Sequence, residues 1–134
     1  MKNNEYILLH QFIKSSIQLN GFFGAVDICK NIYNSTEHCI QSKATKIFSK
    51  ISRLIEKLKE LDQDGAIVTS CLSIALLVHL LLSLNNINSE LKIGVNLVND
   101  VDIISHAWVE SINKTFNEES EKYYEITSIN IMEE

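Results

Sequence analysis

Apolar positions along this chain change rhythm near its middle, and the change divides it into a helical first part and a strand-rich second part. Between Glu5 and Leu19, the residues Ile7, Leu8, Leu9, Phe12, Ile13 and Ile17 recur at helical spacing, so a helix is expected there. Gly21 and Gly24 interrupt that rhythm around Phe22 and Phe23. A second short helix is expected from Ala25 to about Tyr33, with Val26, Cys29 and Ile32 on one side. Asn34-Ser35-Thr36-Glu37 has the composition of a turn leading into a new helix cap. The next helix is the most plainly amphipathic. Ile47, Phe48, Ile51, Leu54, Ile55, Leu58 and Leu61 share a face opposite the basic residues, and the helix ends near Asp62.

From Cys71 to Leu84 the apolar residues cover every side rather than one stripe, so this helix is expected to have neighbours all round it. Thr69 and Ser70 are N-cap residues behind the acidic turn Asp62-Gln63-Asp64-Gly65, and Asn85-Asn86-Ile87-Asn88 terminates the helix. At Ser89 the period becomes two. Leu91, Ile93, Val95 and Leu97 alternate with Lys92, Gly94, Asn96 and Val98, the signature of a strand. Gly94 inside it marks a bulge or the close approach of another backbone, the bulge being the commoner of the two. After a turn at Asn99-Asp100-Val101-Asp102, a second strand runs from Ser105 to Ser111, with His106, Trp108 and Glu110 on one face and Ala107 and Val109 on the other. Asn113-Lys114 reads as a turn, Thr115-Phe116-Asn117 as a short third strand and Tyr123 to Ile129 as a fourth. The expected class is α+β: N-terminal helices and a central buried helix carrying Cys71, packed on a C-terminal antiparallel meander.

A length of 134 residues suits a single domain with a real core, of which 1–62 form the helical N-terminal part and 63–134 the remainder. Apolar residues make up 46% and charged residues 22%, ordinary for a globular protein. Ala66 to Leu84 approaches the roughly 20 residues that a bilayer demands. Thr69, Ser70, Ser73, His79 and Ser83 interrupt that stretch, and no aromatic or basic anchors flank it, so a membrane span is not expected. Asn3, Asn4 and Glu5 do not suit a signal peptide. The three cysteines, Cys29, Cys39 and Cys71, leave an odd thiol in any disulfide scheme, which points to a reduced, cytoplasmic protein.

The net charge of −5 argues against nucleic acid as the main partner. The charge is unevenly divided: residues 1–60 hold nine Lys/Arg and five Asp/Glu, residues 61–134 three and twelve. Lys43, Lys46, Lys50, Arg53, Lys57 and Lys59 are expected to form the solvated face of one helix. Cys29, His38 and Cys39 lack a fourth ligand and the spacing of a zinc site, so no metal and no cofactor is expected.

The candidate chemistry lies at Cys71. In the first turn of a helix, unpaired N–H groups and the positive end of the helix dipole stabilise an anion, and a thiol there is easier to ionise. Free cysteine is also a common core residue, so position alone does not decide between reactive and structural roles. A cysteine nucleophile needs a base and the base an orienting partner. His106 is the candidate base, because its strand can pack beside the start of the central helix. His79 lies eight residues along the same helix as Cys71, about 12 Å away on the axis, and is expected to be a core or groove histidine.

Cys71-Leu72-Ser73, then Leu91-Lys92-Ile93-Gly94-Val95, then His106-Ala107-Trp108-Val109-Glu110 together resemble the transglutaminase-like cysteine proteases that act as leader peptidases in lasso-peptide biosynthesis. The resemblance spans about residues 43–128. It implies a transglutaminase-like, papain-like core with Cys71 as nucleophile and His106 as general base. It also implies an acid downstream of the histidine, where Glu118 stands; Asn117, as in papain-like enzymes, and Glu119 are the alternatives. Trp108 and Glu110 belong to the family signature, though core packing and a strand-edge charge account for them equally well. The implied substrate is a ribosomally made precursor, cut between leader and core. The implied partners are a separate leader-recognition protein and an ATP-dependent macrolactam synthetase, with part of the docking surface expected on the helical region 1–60. Another transglutaminase-like acyl transfer, or a catalytically silent interaction domain, would fit the same residues less closely.

Overall fold

The computed structural model describes residues 3–37, 43–97, 103–118 and 123–133. Its elements are α1 (Asn3–Ser35), α2 (Ala44–Gln63), α3 (Cys71–Leu84), β1 (Glu90–Leu97), β2 (Ile103–Ser111), β3 (Lys114–Phe116) and β4 (Tyr124–Ile129). This is the expected α+β arrangement, helices followed by an antiparallel sheet.

The N-terminal segment holds the two expected helices, which meet at a kink at one of the two glycines instead of being parted from Gly21 to Gly24. One helical element runs from Asn3 to Ser35 and is broken at Gly21 alone, where φ is 75° and ψ 169°. Gly24 stays helical. The Gly21 conformation is one that only glycine adopts readily, and no atom lies within 4 Å of where a Cβ would stand, so the backbone angle rather than space demands glycine. His10, Ile13 and Ser16 before the kink and Ala25, Val26 and Cys29 after it face inward, while Leu8, Phe12, Leu19 and Phe23 are exposed. The turn at Asn34 to Glu37 closes α1: Thr36 donates its hydroxyl to the Ile32 carbonyl at 2.7 Å. α2 begins only at Ala44, with Lys43 as an N-cap that makes no side-chain cap bond.

The other helices follow their patterns closely. Ile47, Ile51, Leu54, Ile55 and Leu58 form the buried stripe of α2. Its end is closed by Gly65, whose φ of +79° brings its N–H to Asp62 O at 3.0 Å and the next N–H, of Ala66, to Leu61 O at 2.9 Å. Every residue of α3 from Ser73 to Ser83 is buried, as an all-round apolar helix requires. Asn86, at φ 60°, ends α3 and turns the Ile87 N–H back onto Leu82 O at 2.9 Å. Among the described residues no helix is long and apolar enough to cross a membrane.

The sheet is not a simple meander. Its strand order is β3-β2-β1-β4, so the last strand crosses back to flank β1 instead of extending the edge beyond β3. β1 and β2 pair from Glu90↔Glu110 to Leu97↔Ile103. Leu91, Ala107 and Val109 therefore share the face that packs on α3 and are fully buried. The turn expected at Asn113-Lys114 lies one residue earlier, at Ile112-Asn113, because Ser111 pairs with Lys114. Asn117 falls outside β3 and adopts a left-handed φ of 62°. The Asn99–Asp102 turn lies outside the described residues.

His79 takes the structural role expected of it. Its ring is fully buried; Nε2 accepts the Ile131 N–H at 3.0 Å and Nδ1 lies 2.7 Å from Ser89 Oγ. An acceptor Nε2 carries no proton, so Nδ1 is the donor to Ser89. The neutral ring thus pins the chain end after β4 to the central helix, and burial lowers its pKa from 6.5 to about 4. A folded-state pKa below the unfolded value means that the unfolded chain binds the extra proton first as pH falls. Stability contributed by His79 is therefore complete above pH 6.5 and lost between about 6.5 and 4, by roughly 2–3 kcal/mol. Urea unfolding across that range should show the loss, and ring NMR signals of His79 should stay in the neutral form down to about pH 5.

Candidate active site

Cys71 is the first residue of α3, directly after the N-cap Ser70. Ser70 and Ser73 form a reciprocal capping box: Ser70 Oγ accepts the Ser73 N–H at 3.1 Å, and Ser73 Oγ accepts the Ser70 N–H at 3.0 Å. Thr69 is not the cap. It donates both its hydroxyl, at 2.6 Å, and its N–H, at 3.3 Å, to Asp62 Oδ2, tying the end of α2 to the approach of α3. Those two bonds, the hydroxyl's above all, hold the Asp62 carboxyl below the usual carboxylate range. With the cap satisfied, the N–H of Cys71 enters no hydrogen bond among the described residues and is available to an incoming anion.

The cysteines differ sharply in access. Cys29 is buried in the core and burial pushes its thiol up to about 12, so it stays protonated and inert. Cys71 is half-buried, within reach of solvent. Cys39 and His38, the other members of the discounted zinc group, lie outside the described residues. Among those residues no three His, Cys, Asp or Glu side chains are grouped to hold a metal.

His106 and Cys71 meet through Asn117. The Asn117 main-chain O accepts from His106 Nε2 at 2.6 Å, while its side-chain Nδ2 donates to Cys71 O at 3.2 Å and to Ala107 O at 2.9 Å. A carbonyl only accepts, so Nε2 of His106 carries the ring proton and Nδ1 is the basic nitrogen of the neutral ring. The left-handed φ of Asn117 turns its carbonyl toward the imidazole, a conformation that asparagine tolerates better than most residues. Glu118, the acid that the resemblance implied, is exposed and makes no hydrogen bond or ion pair among the described residues. Glu119 lies outside them.

An aromatic cover lies over the imidazole. The Trp108 ring stacks on His106 with centroids 6.2 Å apart and planes 18° from parallel, and Tyr123 lies 5.1 Å from the same ring. Trp108 Nε1 donates to Glu110 at 2.8 Å, which gives the two signature residues a shared task of holding the indole in place. Gly94 pairs with His106 across the hairpin, and the β1/β4 register shifts there, the expected bulge. A Cβ at Gly94 would stand 2.8 Å from the Trp108 ring and 2.8 Å from Tyr124 O, so the close approach anticipated at this glycine also occurs, made by the protein's own ring and strand.

A family model for the transglutaminase-like superfamily matches residues 22–130, most of the chain. The chain belongs to the transglutaminase-like superfamily. Its members are usually cysteine peptidases or transferases, and the three helices and four-stranded antiparallel sheet described above accord with the core of such enzymes. Searches of curated proteins and of solved structures return no match.

One residue of this transglutaminase-like site escaped the sequence reading. His10 of α1 is fully buried, with Nε2 2.9 Å from Ser73 Oγ and Nδ1 3.0 Å from the Gln11 side chain. Its signal was a histidine in register with Ile13 and Ile17, on the apolar stripe of an amphipathic helix.

Replacing Asn117 by alanine removes the donor that serves the buried Ala107 carbonyl and leaves a Cβ residue without asparagine's tolerance of positive φ. Together these should cost about 2–4 kcal/mol in chemical denaturation. Asn117→Gly, which relieves only the backbone part, should recover roughly 1 kcal/mol.

Proposed function

We propose that this protein is a cysteine peptidase of the transglutaminase-like superfamily that removes the leader from a ribosomally made lasso-peptide precursor. Cys71 is the nucleophile and His106 the acid–base residue. The observation that carries the reading is the Asn117 bridge, which ties the helix start bearing the thiol to the imidazole and fixes the tautomer of that ring. The peptidase specificity rests on the likeness of Cys71-Leu72-Ser73 and His106-Ala107-Trp108-Val109-Glu110 to the leader peptidases.

In the first step the Cys71 thiol passes its proton to His106, and the sulfur attacks the carbonyl at the leader–core junction. The oxyanion is received by the Cys71 N–H at the positive end of α3. The C–N bond then breaks as the imidazolium protonates the departing amine, leaving a thioester. Water, deprotonated by His106, attacks that thioester and releases the leader as a carboxylate with the thiol restored. Throughout, the Asn117 carbonyl holds Nε2–H and keeps the imidazole in one orientation. Glu118, the acid that the resemblance implies, follows Asn117 in the chain, and the orientation of the ring is assigned to the Asn117 carbonyl instead. A macrolactam synthetase would use the freed amine, and a separate leader-recognition protein would deliver the precursor. The exposed Leu8, Phe12 and Leu19, which share one side of α1 at spacings of four and seven, are the surface we assign to that delivery protein.

Incubation with a leader-bearing precursor and its recognition protein should give two fragments whose masses together exceed the precursor by one water. Cys71→Ala and His106→Ala should each slow cleavage at least about a thousandfold. Full-speed cleavage by Cys71→Ala would refute the assignment, and an amine adduct in place of hydrolysis would make the protein a transferase. Leu19→Asp should weaken binding of the recognition protein about tenfold or more, leaving cleavage at saturating partner unchanged; undiminished binding removes α1 from the docking surface.

A further inference from the structure

We propose that His10 is a positioning residue for the Cys71 helix start, delivered by a part of α1 that lies outside the family-matched residues 22–130. The inference rests on Cys71 being the nucleophile. His10 and Ser73 are 63 residues apart in sequence and meet at 2.9 Å with both side chains fully buried. The hydroxyl of Ser73 accepts the Ser70 N–H at 3.0 Å and has one proton, which lies within reach of both His10 Nε2 at 2.9 Å and Ser70 O at 3.0 Å. The Gln11 Oε1 oxygen only accepts, so His10 Nδ1 carries the proton of the neutral ring and donates to it at 3.0 Å, and Nε2 is the acceptor that receives the Ser73 hydroxyl proton. Burial favours that neutral form.

Every polar atom of this small cluster is thus engaged, and the arrangement allows the Ser73 hydroxyl a single orientation. Without His10, the hydroxyl is free to turn toward the carbonyl one helical turn back, a common alternative for serine in helices. The Ser70 N–H would lose its acceptor and the first turn of α3 would loosen. The backbone dipoles aimed past Cys71 would lose their fixed direction, and fixed direction is what makes such dipoles useful to a developing oxyanion. A leucine or phenylalanine would fill the same space without the desolvation cost of an imidazole, so filling the core does not explain the residue.

The test compares His10→Phe, which keeps bulk and loses the hydrogen bond, with His10→Gln, whose side-chain amide reaches about as far as Nε2. Iodoacetamide labelling of Cys71, followed by peptide mass spectrometry across pH 5–10, reads the thiol directly, and melting curves read stability. The expected result for His10→Phe is a labelling profile displaced to higher pH by about half a unit or more. With substrate, it should also show a roughly tenfold fall in kcat at unchanged KM, both largely restored in His10→Gln. A folded His10→Phe protein with the wild-type profile and kcat overturns the proposal while leaving Cys71 as nucleophile. Wild-type Cys71 that labels no faster at neutral pH than the same thiol in urea overturns the nucleophile assignment itself, and this inference with it. Should His10→Phe not fold, Ser73→Ala removes the other half of the contact and is read in the same way.

Discussion

Burial of α3 on every side leaves that helix open to solvent only at its two ends. From Ser73 to Ser83 each side chain is enclosed by the other helices and the sheet, so nothing along the body of the helix can meet a substrate. Cys71 stands ahead of that enclosed run and is half-exposed. The constraint gives two thiols of the same chain different surroundings: Cys29, inside, is kept protonated by desolvation, and Cys71, at the start of the helix, is not enclosed. It also explains why so many polar groups gather at this end. The N–H groups of Ser70 and Ser73 are met by each other's hydroxyls, and His10 binds the Ser73 hydroxyl, while the Cys71 N–H stays uncommitted among the described residues.

The second dependence is on Asn117, which links three segments at once. Its amide closes the gap between α3 and β2, and its carbonyl fixes the His106 tautomer. A carbonyl orients an imidazole as well as a carboxylate does, but carries no net charge to stabilise the imidazolium. Orientation of the ring comes from the main chain of Asn117, while Glu118, next in the chain, is exposed and makes no hydrogen bond or ion pair among the described residues. Stacking of Trp108 and Tyr123 against His106 adds a low-dielectric wall, within which each of these polar contacts is stronger than it would be in water.

The histidines of the two buried clusters carry their own lesson about polar residues in apolar surroundings. His79 and His10 are both fully enclosed and both bonded through each ring nitrogen, so neither leaves an unmet group in the core. His79 binds the chain end after β4 to the far part of α3. His10 binds α1 to the first turn of that helix, beside Cys71. One helix is thereby held at both ends by imidazoles that come from, or reach to, opposite ends of the chain.

Local periodicity determined the elements themselves: the buried stripe of α2, the all-round apolar α3 with its serine cap and asparagine stop, and the alternation that puts His106, Trp108 and Glu110 on one face of β2. These depend on side chains a few positions apart, which the backbone geometry of a helix or strand brings together wherever the element lies. The linking of Cys71 with His106 could be anticipated from the placement of the strand beside the helix start and from likeness to a family, and Asn117 stood among the alternatives for the orienting residue. That it acts through its main-chain carbonyl could not be read, because a carbonyl has no residue type and its direction follows from one φ angle at Asn117. The return of β4 to the side of β1, the one-residue displacement of the β2–β3 turn and the meeting of His10 with Ser73 were likewise decided by packing. Contacts between distant segments are selected by which surfaces can be buried together without stranding a polar group, and that choice exists only once the whole chain has folded.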